Sequence, residues 1–237
     1  VIPTARRTER LEKLAAAIRE RGGDAFPMAC DVADPASVER LKDVVLGRYG
    51  ACDVLINNAG IPGGGPFEEL SLEQIERVVR TNFMGVLYGT KAFLPSMLQA
   101  GRGHVVNVAS LAGRYALPGS SVYSATKHAV VAFSEALHYE TSPRGVLVTT
   151  VNPGLVSTEN FPHKGARGLR ARMVMPPSRL ANTIVRVVEK EIAPEISDQR
   201  WLAGFQALRI LTPPLYRAIM RRAAGGGLEP TRAPEAH

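Results

Sequence analysis

Cysteine is nearly absent from the 237 residues: only Cys30 and Cys52 occur, and their spacing suits no metal site. Two isolated thiols exclude a disulfide framework and fit a reducing, cytoplasmic setting. No apolar run approaches the roughly 20 residues that a membrane-spanning helix needs. No secretory leader is legible, an observation without weight if the chain starts late. Internal repeats and long linkers are missing as well. Carboxylates are scarce in one place only. The net charge of +7 divides into +1 over residues 1–50, 0 over 51–158 and +6 over 159–237. Such a bias can serve nucleic acid, an anionic ligand or a lipid surface. No nucleic-acid motif accompanies it, so no nucleic-acid partner is expected.

What is present reads as an ordinary soluble globular composition, 45% apolar and 22% charged. Four runs, at 25–30, 54–56, 105–109 and 146–151, are nearly continuous in apolar residues. That pattern suits strands of a parallel sheet covered on both faces. Helical stretches lie between them, with start signals. Asp34-Pro35 pairs an N-cap with a proline at the first helical position. Ser71 and Gln74 form a capping box. Strand and helix in alternation predict one α/β domain, a doubly wound parallel sheet of Rossmann type. Asp31, Asn57, Ser110 and Asn152-Pro153 fall at the C-terminal ends of the predicted strands. In open parallel sheets that edge carries the ligand crevice, so one shared site is expected there.

Tyr123 and Lys127 stand four apart on a predicted helix and share a face. A cation beside a phenol favours the phenolate and brings it toward use as an acid or base near neutrality. Ser110 closes a predicted strand thirteen residues before Tyr123. Asn82 shares the apolar stripe of Ile75, Val78, Val79, Phe83 and Val86, and a buried amide must find partners. It is either a core residue tying up a kink near Gly85 or a relay group.

Asn57-Asn58-Ala59-Gly60, Asn82, Ser110, Tyr123-x-x-x-Lys127 and Asn152-Pro153-Gly154 together resemble the motif series of the short-chain dehydrogenase/reductase family, over about residues 1–192. The resemblance implies an oxidoreductase that moves a hydride between a nicotinamide cofactor and an alcohol or ketone. It implies Tyr123 as general acid/base and Lys127 as the group that lowers its pKa and holds the nicotinamide ribose. Ser110 would orient the substrate oxygen, and Asn82 would hold a relay water. Asn57, Ala59 and Gly60 would support the sheet centre and line the cofactor. Pro153, Gly154, Val156 and Thr158 would cradle its nicotinamide end, and Asp31 and Val32 its adenine. A homodimer or homotetramer is implied too. Near the first strand end, where an acidic residue marks NAD sites, the chain has Arg6 and Arg7. Guanidinium groups suit a 2′-phosphate, so NADP is expected over NAD. The plainer reading has both arginines in solvent at a helix start.

The family opens with a strand and a Thr-Gly-x-x-x-Gly-x-Gly loop that seats the diphosphate on a helix N-terminus. No such loop is found, and Gly63-Gly64-Gly65 has the wrong spacing. The chain is therefore expected to begin inside the second strand, with roughly 30 residues of a βαβ unit missing. Without that mid-sheet strand, two open edges are expected. The domain is expected over 1–198, with a basic substrate lid at 159–177 and a helix at 178–192. Residues 199–222 mix apolar side chains with five arginines and no acid, broken by Pro213-Pro214. They are read as an amphipathic helical segment that closes over substrate, meets a partner subunit or lies on a membrane surface. Residues 223–237 are expected to be disordered. The rival to the enzyme reading is a non-catalytic remnant that keeps only subunit-binding surfaces.

Overall fold

Strand–helix alternation begins at the first residues of the computed structural model, which describes residues 1–116, 118–158, 174–197 and 202–225. The order is β1 (Thr4–Ala5), α1 (Thr8–Glu20), β2 (Met28–Ala29), α2 (Pro35–Tyr49) and β3 (Val54–Asn57). Helix α3 (Leu72–Val79) passes through a π turn, Arg80–Met84, into α4 (Gly85–Ala100). Then come β4 (Gly103–Val108), α5 (Ser121–Thr141) and β5 (Val146–Asn152). Short strands β6 (Leu155–Val156) and β7 (Val174–Met175) precede α6 (Pro177–Glu189) and β8 (Glu195–Ser197). Helices α7 (Leu202–Leu211) and α8 (Pro213–Gly225) end the described chain.

The start signals act as the sequence predicts. The Asp34 carboxylate accepts from the Ala36 and Ser37 N–H groups at 3.0 and 3.2 Å. Ser71 and Gln74 exchange both bonds of the capping box. Each cap satisfies helix N–H groups that have no intrahelical acceptor.

All strand pairings are parallel. The main sheet has the order β3-β4-β5-β8. On one face Val105 and Val148 pack against Phe93 and Met97 of α4. On the other, Val106 and Val151 pack against Val187 of α6. Burial on both faces explains the continuous apolar runs, and each fully buried valine contributes about 1.5–2 kcal/mol. β1 and β2 form a separate two-stranded sheet that does not pair with β3. Cys30, Val38 and Val45 tie that pair and α2 into the core beside Ala92 and Val105. Among the described residues β3 pairs with β4 alone, and Val54 and Ile56 on it are exposed.

Several boundaries differ from expectation. The 25–30 run is registered as strand only at Met28 and Ala29: its Phe26, Met28 and Cys30 N–H groups donate in series to the Val1, Pro3 and Ala5 carbonyls, but Pro3 has no N–H to return. The 178–192 helix runs from Pro177 to Glu189. Residues 223–225, expected to be disordered, continue α8 to Gly225. The Ala-Ala pair before that glycine favours helix, and glycine is a natural end. The basic lid residues 159–173, and the tail beyond 225, lie outside the described residues. No helix of the described chain is long and apolar enough to cross a membrane.

Candidate active site

The C-terminal ends of β4 and β5 bring the central residues together. Ser110 follows β4 with extended backbone (φ −177°) and caps the short turn Leu111–Gly113, its Oγ accepting from the Ala112 N–H at 3.1 Å. The Leu111 N–H donates to the Pro153 carbonyl at 2.9 Å, which joins the loops after β4 and β5. The turn is pressed on α5: a Cβ at Gly113 would stand 2.6 Å from the Lys127 carbonyl oxygen. Glycine is therefore required where the serine loop crosses the helix that carries Tyr123 and Lys127.

Tyr123 and Ser110 are hydrogen-bonded, and that bond lowers the phenol's pKa while burial raises it. Burial wins, so the phenol stays above its ordinary value. Lys127 is buried, and loss of hydration pushes its ammonium down to about 8. Lys127 Nζ donates to the Val108 carbonyl at 2.9 Å and lies 5.8 Å from the Tyr123 ring centre. Its one bond turns it to the strand end, and the Ser110 hydrogen bond is the interaction that eases the proton off the phenol.

Asn82 sits fully buried in the π turn. Its Nδ2 donates to the Ile61 carbonyl at 2.9 Å, and its Oδ1 accepts from the Ile61 N–H at 2.8 Å. The amide thus grips the loop after Gly60 rather than the kink at Gly85. One amide hydrogen and one lone pair remain for a water. A Cβ at Gly60 would lie 3.6 Å from both Asn82 Oδ1 and Lys127 Nζ, so these three residues meet at one spot.

Asn57 looks inward. Its Nδ2 donates to Asn107 Oδ1 at 2.8 Å and Thr90 Oγ1 at 3.2 Å, and Asn107 Nδ2 donates to Ser134 Oγ at 2.8 Å. This buried chain ties β3, β4, α4 and α5 together. Its side chain supports the sheet centre. Sequence reading passed over Asn107, although a lone amide inside an apolar strand must find buried partners. At the end of β2, Asp31 Oδ1 accepts from the Ala33 N–H at 3.0 Å, shaping the turn that holds Val32. Val32 lies against the start of α4, where a Cβ on Gly85 would meet its Cγ2 at 2.9 Å. Arg6 and Arg7 are exposed just after β1. Gly154 and Val156 are half-buried and Thr158 exposed beyond β5, and β6 is braced by β7.

A second polar group near the site was not read from the sequence. Glu195 on β8 accepts from Asn152 Nδ2 at 2.6 Å and from Arg114 Nε at 3.0 Å, as part of an ion pair with Arg114. The Asn152 Oδ1 is buried and meets no donor among the described residues. Nothing in the local pattern around 195 marks it, since a three-residue edge strand has no period to read.

A sequence profile of short chain dehydrogenases matches residues 1–167. A Streptomyces coelicolor protein with a provisional name as a ketoacyl reductase is 42% identical over 160 residues, 67% of this chain and 61% of that protein. The D-threitol dehydrogenase of Mycolicibacterium smegmatis is 39% identical over 176 residues, 73% of this chain and 67% of that enzyme. The matched stretch thus spans about three-fifths to two-thirds of these relatives. Among solved structures, actinorhodin polyketide ketoreductase with NADPH superposes with a TM-score of 0.73 at 32% identity, covering 84% of this chain and 85% of that one. A Burkholderia phymatum short chain dehydrogenase/reductase with NAD gives 0.77 at 25% identity, covering 90% and 85%. Motifs, parallel sheet and matched length agree, and the chain belongs to the short-chain dehydrogenase family.

Proposed function

We propose that this chain transfers a hydride between a nicotinamide dinucleotide and the carbon of an alcohol or carbonyl substrate, with Tyr123 handling the hydroxyl proton. The observation that carries this reading is the Ser110–Tyr123 hydrogen bond beside the buried Lys127. The residues suit such a cofactor. The Lys127 ammonium has three donors, and among the described residues its hydrogen-bond acceptor is the Val108 carbonyl. A buried cation so sparsely paired is costly, and sugar hydroxyls would relieve it. Gly60 leaves the space beside Lys127 and Asn82 free of a side chain.

When bound, the nicotinamide supplies or accepts the hydride. The chain's own residues position the reactants and move the proton. The Ser110 hydroxyl holds the substrate oxygen within reach of Tyr123, which gives its proton to a carbonyl being reduced. In oxidation the phenolate takes the alcohol proton. Lys127 holds the nicotinamide ribose, and Asn82 carries a water toward the lysine. Ala59, Gly60, Pro153, Gly154, Val156 and Thr158 line the nicotinamide side, and Asp31 with Val32 the adenine side. Homo-oligomer formation belongs to the same proposal, supported by exposed Tyr139 on α5.

NADP is the preferred form, on the strength of exposed Arg6 and Arg7 beyond β1 and the lack of an acidic residue among residues 1–7. The structural neighbours by themselves favour neither form, since one is named with NADPH and another with NAD. Fluorescence titration is expected to show NADPH bound at least roughly tenfold more tightly than NADH, the worth of one charge-assisted pair. Arg6→Ala with Arg7→Ala is expected to erase that ratio. An unchanged ratio removes both arginines from the cofactor site. Loss of NADPH fluorescence against a panel of ketones, sugars and steroids then tests turnover itself.

A further inference from the structure

Helices α7 and α8 carry a face that the hydride site does not use. Their inner side is tied to the body. Arg209 donates to the Arg114 carbonyl and to His128 Nε2, which lies 3.3 Å away. His128 Nδ1 stands 2.8 Å from the Ser124 carbonyl, so Nδ1 carries the proton and Nε2 is free to accept. Tyr216 and Met220 of α8 are likewise half-buried. The pair of helices is thus seated on the segment that follows Ser110.

The outer side has a different chemistry. Ile210 and Leu211 are 67% and 77% exposed, Leu215 54% and Ile219 38%. Leu215 and Ile219 are one turn apart on one flank of α8, and exposed Arg217 and Arg221, also one turn apart, form its other flank, roughly 120–160° round the helix. Across residues 199–222 there are five arginines and no carboxylate. An apolar row is costly in water, and a single-sign charged flank on the same helix discourages packing of a second copy. Both features are met together by lipid: the apolar row sinks among the acyl chains while guanidinium groups reach phosphates. Nucleic acid would meet the arginines and leave the leucine and isoleucine side chains in water. With no described helix able to cross a bilayer, the mode is surface contact.

We propose that α7 and α8 form a docking surface for an anionic bilayer, with Leu211, Leu215 and Ile219 buried at the headgroup boundary and Arg217 and Arg221 on lipid phosphates. This does not rest on the hydride-transfer reading. Flotation of the whole chain with phosphatidylcholine vesicles, with and without phosphatidylserine, tests it. Binding is expected to the anionic vesicles, with little to the neutral ones, and to weaken as salt rises. Leu215→Glu with Ile219→Glu, and separately Arg217→Glu with Arg221→Glu, are each expected to weaken binding by roughly tenfold or more. Leu215→Ala with Ile219→Ala, a milder pair, serves if a charge reversal disturbs folding by circular dichroism. No flotation, equal flotation with both vesicles, or indifference to every variant overturns the proposal. So does sedimentation showing that the leucine–isoleucine variants turn an oligomer into monomer while vesicles bind neither form.

Discussion

Tyr123→Phe is expected to lower carbonyl turnover by about 10²–10⁴-fold, the usual worth of a positioned general acid. The ring stays, so melting temperature and cofactor affinity should hold. The direction of pH dependence follows from the site. Burial keeps the Tyr123 phenol above its ordinary pKa, and the Ser110 bond opposes this. At neutral pH the residue is therefore a phenol, ready to give a proton. Reduction should run at a plateau and fall as pH climbs toward that pKa. Oxidation needs the phenolate and should rise with pH over the same span. Ser110→Ala removes the group that eases the proton off, so the oxidation profile should move to higher pH. Stopped-flow rates across pH in both directions check this. A phenylalanine variant with wild-type turnover would remove Tyr123 from the chemistry.

Lys127→Met is expected to stabilise the fold while it damages cofactor binding. Burial holds the folded lysine at about 8, against 10.5 for an exposed one. Between those values the unfolded chain binds more protons than the folded one. Stability therefore rises with pH across about 8 to 10.5, and the cost of the buried charge is fully present below 8. That cost is on the order of 3 kcal/mol. Losing the bond to the Val108 carbonyl returns about 1 kcal/mol. The net gain of about 2 kcal/mol corresponds to roughly 4–8 °C for a domain of this size. Thermal melts from pH 7 to 10.5 should show a rising wild-type melting temperature and a flatter, higher line for the variant. A lower melting temperature at pH 7, with the same slope as wild type, would mean that Lys127 supports the fold and carries no desolvation cost. A stabilised variant that no longer binds NADPH would show a residue kept for the ligand at the expense of the fold.

The parallel sheet was legible because its strands are buried on both faces and read as unbroken apolar runs. Helix starts were legible because their caps are local, as at Asp34 and Ser71. Ser110, Tyr123, Lys127 and Asn82, grouped from the sequence, do lie near one another, around the loop after β4, one face of α5 and the π turn. Their detailed chemistry was not. Spacing places Lys127 beside Tyr123 on the helix, but it does not say that the ammonium turns to Val108. Nor does it give the Asn82 amide its partner Ile61, because a π turn adds a residue and rotates the stripe. Glu195 and its bonds to Asn152 and Arg114 join residues 43 and 81 apart, a distance at which no local period operates. The buried Asn57–Asn107–Ser134 chain was hidden in the same way.

The central claim is that the carbon of a carbonyl substrate receives its hydrogen from the nicotinamide in this site. The most direct measurement uses NADPH deuterated at the transferable C4 position, with a ketone that the panel shows to be consumed and mass analysis of the product alcohol. One deuterium on the carbinol carbon, absent when Tyr123→Phe replaces the wild type over the same time, is the predicted result. Product carrying hydrogen from water at that carbon, or deuterium transfer unaffected by Tyr123→Phe, would contradict the account.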